Sequence, residues 1–206
     1  MSVGPCSTLA LVLRKTPYSE SSVVVATLSP EFGKLDFLVR GARKIGGKQF
    51  PVVDLFRELR VEFRDKEEGL LTPLSLELAA DHDRVAARPE LFQAACSLSA
   101  FVARNTRPHS PARSLYAAFA ATLRRYGEGD RNAPWSSLTK LVYLSEEGLL
   151  PEHLGQDGLD EAKQRELLRA LLAAASGEQS APALGVPFWK SLCAWIAGLC
   201  RLHELE

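Results

Sequence analysis

The chain has 206 residues, 46% of them hydrophobic and 24% charged, with 25 basic against 25 acidic side chains. That length holds one large domain or two small ones around a core of ordinary size, without disulfide staples. No apolar run approaches the roughly 20 residues that cross a bilayer, and the N-terminal residues lack the basic start and apolar stretch of a signal peptide.

The first eighty residues read as strands. Leu9, Leu11 and Leu13 alternate with less apolar neighbours, and Val23 to Leu28 is a β-branched run that is apolar on both faces. Leu35, Phe37 and Val39 alternate again. Leu55, Leu59, Val61 and Phe63 interleave with Glu58, Arg60, Glu62 and Arg64 in the cleanest period-two pattern of the chain. Leu70 to Leu78 supplies a fifth strand, with Pro73 marking an edge or a bulge. Turn residues at Pro17–Ser19, Ser29–Gly33 and Gly46-Gly47 separate the runs. Five short strands in about eighty residues predict a small closed barrel of the OB type, with an SH3-like barrel as the competitor.

After Asp83 the period becomes helical. Pro89 and Glu90 open a helix whose stripe is Leu91, Phe92, Ala95, Leu98, Phe101 and Val102, and Pro108 and Pro111 break it. Ala112 to Tyr126 is a second helix, which Gly127 should end. Trp135 to Glu147 is a third. Asp160 caps a fourth, Ser176 to Pro187 is a loop, and Phe188 to Leu205 closes the chain as an apolar helix. The expected class is α+β: an OB barrel over residues 1–80, then a helical domain over 81–206, with the boundary near Leu78 to Arg88.

Neutrality hides uneven charge. In the segment GKLDFLVRGARKIGGK, Gly33 to Lys48, the five cations Lys34, Arg40, Arg43, Lys44 and Lys48 face the single acid Asp36. From Leu91 to Gly127 there are five arginines (Arg104, Arg107, Arg113, Arg124 and Arg125) and no acid, whereas 128–206 carries 7 basic and 12 acidic residues. Strand parity sharpens the first island. With Leu35, Phe37 and Val39 inward, Lys34, Asp36, Leu38 and Arg40 point outward. Gly41, Gly46 and Gly47 leave the following backbone room to approach a phosphate. OB barrels bind single strands on such a face, with cations on phosphates and aromatics on bases. Phe32 and Phe50 flank the segment, as stacking platforms or as barrel plugs. The second island is either an anion-binding groove or, at Arg124 and Arg125, a complement to a helix dipole.

Catalytic patterns fail on inspection. Ala42 to Gln49 (ARKIGGKQ) resembles a phosphate-binding loop but has Ala42 where glycine is needed and Gln49 where a magnesium-binding hydroxyl should stand. Asp81-His82-Asp83 cannot direct three adjacent side chains at one ion from a regular element, so it reads as a polar linker. His109, His153 and His203 are isolated from any nucleophile. The cysteines Cys6, Cys96, Cys193 and Cys200 form no Cys-x-x-Cys pair and read as reduced, mostly buried thiols of a cytoplasmic protein. No enzyme, metal or cofactor is expected.

The chain resembles the RecO recombination mediators of bacteria. The resemblance rests on Ala10–Arg14 (ALVLR), Tyr18–Ser22 (YSESS) and above all Ala26–Arg43 (ATLSPEFGKLDFLVRGAR). It returns at Pro51–Leu59 (PVVDLFREL) and at Leu138–Pro151, where a helix ends in EEGLLP. It implies an OB fold that binds single- and double-stranded DNA. It also implies a non-enzymatic, nucleoid-associated role: annealing complementary strands, binding the acidic tail of the single-stranded DNA-binding protein and, with RecR, helping RecA onto coated strands. By the signature, DNA binding falls on Lys34, Arg40, Arg43 and Lys44; Lys48 and Arg14 join them by charge and position. Arg104, Arg107, Arg113, Arg124 and Arg125 are the candidates for the acidic tail. Many members of the family carry a four-cysteine zinc module after the GLLP segment. Here Glu152 to Gly158 (EHLGQDG) has no cysteine, so no zinc is expected. The alternative reading is an OB module whose ligand is an acidic protein.

Overall fold

A computed structural model describes residues 4–42, 53–66, 69–151 and 160–205. Five antiparallel strands, β1 (Cys6–Pro17), β2 (Val23–Ser29), β3 (Gly33–Val39), β4 (Glu58–Phe63) and β5 (Pro73–Ala80), pair in the order β3-β2-β1-β4-β5. Helices α1 (Pro89–Asn105), α2 (Arg113–Glu128), α3 (Trp135–Glu146), α4 (Glu161–Ser176) and α5 (Val186–Leu202) follow, after a short 3-10 turn at Asp83–Ala87. The sheet closes where Leu71, just before β5, runs parallel to Phe37 of β3. Leu38 N–H donates to Leu71 O, and Leu71 N–H donates to Asp36 O, both at 2.8 Å. This strand order and its parallel closure make the barrel an OB fold rather than an SH3-like one.

Ala10, Val12, Val23, Val25, Leu35, Phe37, Val39, Leu59, Val61 and Phe63 fill the barrel. Phe63 is its aromatic centre, edge-on to Phe37 at 5.5 Å and to Phe32 at 5.4 Å. Phe32 is therefore a plug; Phe50 lies outside the described residues. The inward residues of β1 are Ala10 and Val12 rather than the leucines. Leu11 and Leu13 are also buried, on the other face of β1. Ser99 of α1 covers that side of Leu13, donating its hydroxyl to Leu13 O at 2.7 Å. The clean alternation begins at Glu58, not at Leu55, because Asp54 turns the chain there: its carboxylate accepts Leu55 N–H at 2.8 Å. Pro73 sits opposite Phe63 at a register shift between β4 and β5, as a proline in a strand requires.

The chain divides into two compact units. One comprises Met1–Asp83 with Cys96–Tyr116, the other Arg84–Ala95 with Ala117–Glu206. In the first, the connection between α1 and α2 lies against the start of β3. Lys34 N–H donates to Arg107 O at 3.2 Å, Ala112 N–H donates to Pro30 O at 3.1 Å, and Gly33 bridges Pro108. In the second, α3 packs on α4 and α5, and Thr122 and Thr139 join α2 to α3 through a buried 2.9 Å hydrogen bond. α2 runs through Gly127 to Glu128. The left-handed residue is Gly129 (φ 81°), and the Gly127 carbonyl is satisfied by Arg88 at 2.7 Å. Asp160 caps α4, accepting Lys163 N–H at 2.9 Å, and Gly177 (φ 86°) ends it. Only Cys200 of the four free thiols is buried; Cys6, Cys96 and Cys193 are partly exposed.

Candidate nucleic-acid interface

The pleat of β3 sets the site. Leu35, Phe37 and Val39 are buried while Lys34, Asp36 and Leu38 alternate to the outer wall. Arg40 is exposed but stands one residue past the end of β3, in a turn. Lys34 and Arg40 are thus at opposite ends of one wall, about 20 Å apart at the rise of an extended chain. Both can meet one polymer; they cannot share one phosphate. Lys34 lies 3.9 Å from Asp36, with both side chains partly exposed. A solvated pair at that distance contributes little, so the ammonium remains available to a stronger anion.

Pairing extends the wall to β1. Asp36 stands opposite Ala26, and Ala26 opposite Arg14, so Arg14 shares the outer row of the sheet. A register shift between Val12 and Arg14 bulges β1 at this point. Arg14, Lys15, Lys34 and Arg104 border a groove of about 530 Å³ floored by Leu13, Leu55, Phe56, Ala100 and Ala103, all within the first unit. Among the described residues, its lining holds no carboxylate. Lys15 is engaged by Asp54 at 2.9 Å; burial raises the Asp54 pKa, but the hydrogen bonds from Lys15 and Leu55 N–H and the charges of Lys15 and Arg57 together outweigh it and hold the carboxyl below its ordinary 3.8. Arg14 and Arg104 make no ion pair with any described carboxylate. A second hollow of about 280 Å³ lies on the other side of Lys34, bordered by Asp36, Lys66, Leu71, Pro108 and His109. Lys15, Lys66 and His109 were not candidates from sequence. Lys66 and His109 reach the wall only through the barrel closure and the α1–α2 connection, which local periodicity does not encode.

The other predicted residues divide. Arg43, Lys44 and Lys48 lie outside the described residues, as does Glu152–Gly158. Arg104, Arg107 and Arg113 are exposed in the first unit, whereas Arg124 and Arg125 belong to the second. Arg124 is exposed. Arg125 is committed to the fold: it donates to Ala174 O at 2.6 Å and Ala175 O at 3.3 Å, and its guanidinium lies 3.7 Å from the centre of the Trp135 ring. It adds a side-chain donor to the C-terminal carbonyls of α4, where Ala174 O also accepts Gly177 N–H at 3.1 Å. The five arginines thus do not form one cluster within either unit.

The linker Asp81-His82-Asp83 turns its side chains apart. His82 is buried with Nε2 2.8 Å from Glu58 Oε1, and Asp83 holds Arg57 at 2.7 Å. Among the described residues no three His, Cys, Asp or Glu side chains gather as a metal site.

Residues 1–80 match the family model described as recombination protein O, N terminal. Residues 1–80 therefore form a RecO-type N-terminal domain. A comparison with curated proteins finds no match. The match covers the whole barrel, including the strand–GK–strand segment and Arg14, and ties the RecO-type chain to DNA repair and recombination. Gly33 in that segment has φ 64°, and a Cβ there would overlap the carbonyl oxygens of Arg107 and Ser110. The glycine preceding Lys34 is therefore set by the fit of the α1–α2 connection. No described helix is long and apolar enough to cross a membrane.

Proposed function

We propose that this protein is a non-enzymatic recombination mediator that binds DNA on the outer wall of its barrel, through Lys34, Arg40, Arg14 and the cations Arg43, Lys44 and Lys48 of the following loop. The observation that carries this reading is the outward Lys34, bracketed by Arg14 and Arg104 that have no described carboxylate partner, on a RecO-type OB barrel. Cations left unpaired in a neutral chain favour a polyanion. The mediator would anneal complementary single strands and, with RecR, help load RecA on strands coated by the single-stranded DNA-binding protein, in the cytoplasm at the nucleoid. It needs no zinc and no cofactor in this reading.

A fluorescence-anisotropy titration with single-stranded DNA at several salt concentrations tests it. Contact with about five phosphates gives a log–log slope near −3.5; a slope near zero defeats the barrel as a DNA site. The second reading, an acidic protein ligand, is favoured by the exposed Arg104, Arg107 and Arg113 around the α1–α2 connection. These three, rather than Arg125, are the candidates we retain for an acidic tail such as that of the single-stranded DNA-binding protein. Competition separates the two ligands: DNA displaces an acidic peptide only if they share the surface.

A further inference from the structure

Lys34 is the common wall of two hollows. The larger has a mostly apolar floor and is bordered by Lys34 on β3, Arg14 on β1 and Arg104 on α1; the smaller is bordered by Lys34, Lys66 and His109. A cationic path broken by one apolar recess is what a nucleic acid strand meets if a base leaves the stack. The phosphates need charge on either side, and the base needs a surface without competing water. We propose that the larger hollow receives one unstacked base of single-stranded DNA, its flanking phosphates held by Lys34 on one side and by Arg14 and Arg104 on the other. This rests on the reading of the barrel as a DNA-binding wall and adds to it a preference for single strands.

The physical argument is threefold. The floor is mostly apolar, from Leu13, Leu55, Phe56 and Ala100, and about 530 Å³ is enough for a base and its sugar. Ala100 and Ala103 keep α1 low at this place, so a large side chain there would fill the recess. A duplex reaches the same recess only by flipping a base, which costs a few kcal/mol, whereas a single strand brings an already unpaired one. A peptide terminus concentrates its charge in one hollow and leaves the other idle, while a repeating polyanion uses the cations of both.

Full-length Ala103→Trp tests the assignment, read by anisotropy with a labelled oligonucleotide and with the same sequence as a duplex. Ala103 lies on a partly exposed helix face, and circular dichroism checks that the variant is folded. The expected result is about a tenfold loss of affinity for the single strand, with duplex affinity within twofold, a tenfold change being 1.4 kcal/mol. Arg104→Glu, at an exposed position, should lower single-strand affinity more than duplex affinity. Photo-crosslinking from an oligonucleotide carrying 5-iodouracil should label peptides containing Leu13, Phe56 or the Cys96–Ala100 segment. Equal losses on both DNA forms, an unchanged single strand, or crosslinks confined to other peptides would overturn the proposal. So would loss of an acidic peptide, but not of single-stranded DNA, in the Trp variant. If Lys34→Glu with Arg40→Glu leaves both DNA forms unaffected, the DNA-binding wall itself fails. If that pair weakens both and Ala103→Trp weakens neither, only the recess is misassigned.

Discussion

Glu58 of β4 accepts the hydroxyl of Tyr116, at the start of α2, at 2.7 Å, while its other carboxylate oxygen meets His82 at 2.8 Å. Both His82 and Tyr116 are buried. Burial first, and then the neighbouring carboxylate, push the Tyr116 pKa far above its ordinary 10, so the phenol stays a neutral donor. The arrangement ties the barrel to the residues that follow β5 and to α2 without offering an open catalytic position. Tyr116→Phe should remove one charge-assisted hydrogen bond and destabilise the protein by about 1.5–3 kcal/mol, visible as a lower urea midpoint. DNA affinity should stay within twofold. A variant that keeps its stability but loses DNA binding would move Glu58 and Tyr116 from scaffold to site.

The wall at β3 makes a charge prediction. Lys34→Glu with Arg40→Glu should leave the fold intact, because neither side chain enters the core. It should cut single-strand affinity by tenfold or more at low salt. If both residues touch phosphates, the salt slope becomes shallower by about 1.4. An unchanged slope would mean that neither residue meets the backbone.

Much of the barrel was legible because its alternation is strict where one face is wet. Glu58–Phe63 and Gly33–Val39 show this, and parity alone puts Lys34 on the outer wall. β1 differs in detail because both of its faces are buried from Ala10 to Leu13, so Leu9, Leu11 and Leu13 carry no sign of which side is the barrel. Of the cations around Lys34, charge and position point to Arg14 but not to Arg104 or Lys66 as its neighbours. Arg104 lies far along the chain and joins the groove only because α1 covers β1, and Lys66 joins because Leu71 closes the barrel. The arginine island was visible as charge, but nothing local distinguishes Arg124, which is exposed, from Arg125, which caps α4.

Gly33 carries a steric prediction. Gly33→Ala places a methyl group against the Arg107 and Ser110 carbonyls and forces a non-glycine residue into the left-handed region. The cost should be roughly 2 kcal/mol or more. The α1–α2 connection should loosen from β3, with faster amide hydrogen exchange at Lys34, whose N–H is held by Arg107 O. Unchanged exchange at Lys34 would show that the connection does not depend on this close approach.

Arg125→Lys distinguishes scaffold from ligand site in the second unit. Lysine keeps the charge but not the fork that reaches two carbonyls, nor the planar contact with Trp135. A loss of about 1–3 kcal/mol is expected in thermal or denaturant unfolding, with acidic-peptide binding unaffected. A stable variant that no longer binds the peptide would return Arg125 to the binding surface.

The start of α4 carries a pH dependence of known sign. The backbone N–H of Lys163 and then its ammonium hold the Asp160 carboxyl below its ordinary 3.8. A carboxyl depressed in the folded state contributes its stability above the unfolded pKa and loses it as pH falls through the lower folded value. α4 should therefore loosen at its N-terminus as pH falls below 3.8 and through the lower folded value, where the protonated side chain is a poorer acceptor. Asp160→Asn retains a capping oxygen that does not titrate, so the hydrogen exchange of Lys163 N–H should become less pH-sensitive between pH 5 and 3 after correction for intrinsic exchange. Asp54, depressed by Lys15 in the first unit, titrates in the same direction, so global unfolding will keep some acid dependence in this variant. The residue-level exchange at Lys163 isolates the cap, and an identical pH response in the two proteins would remove Asp160 as its cause.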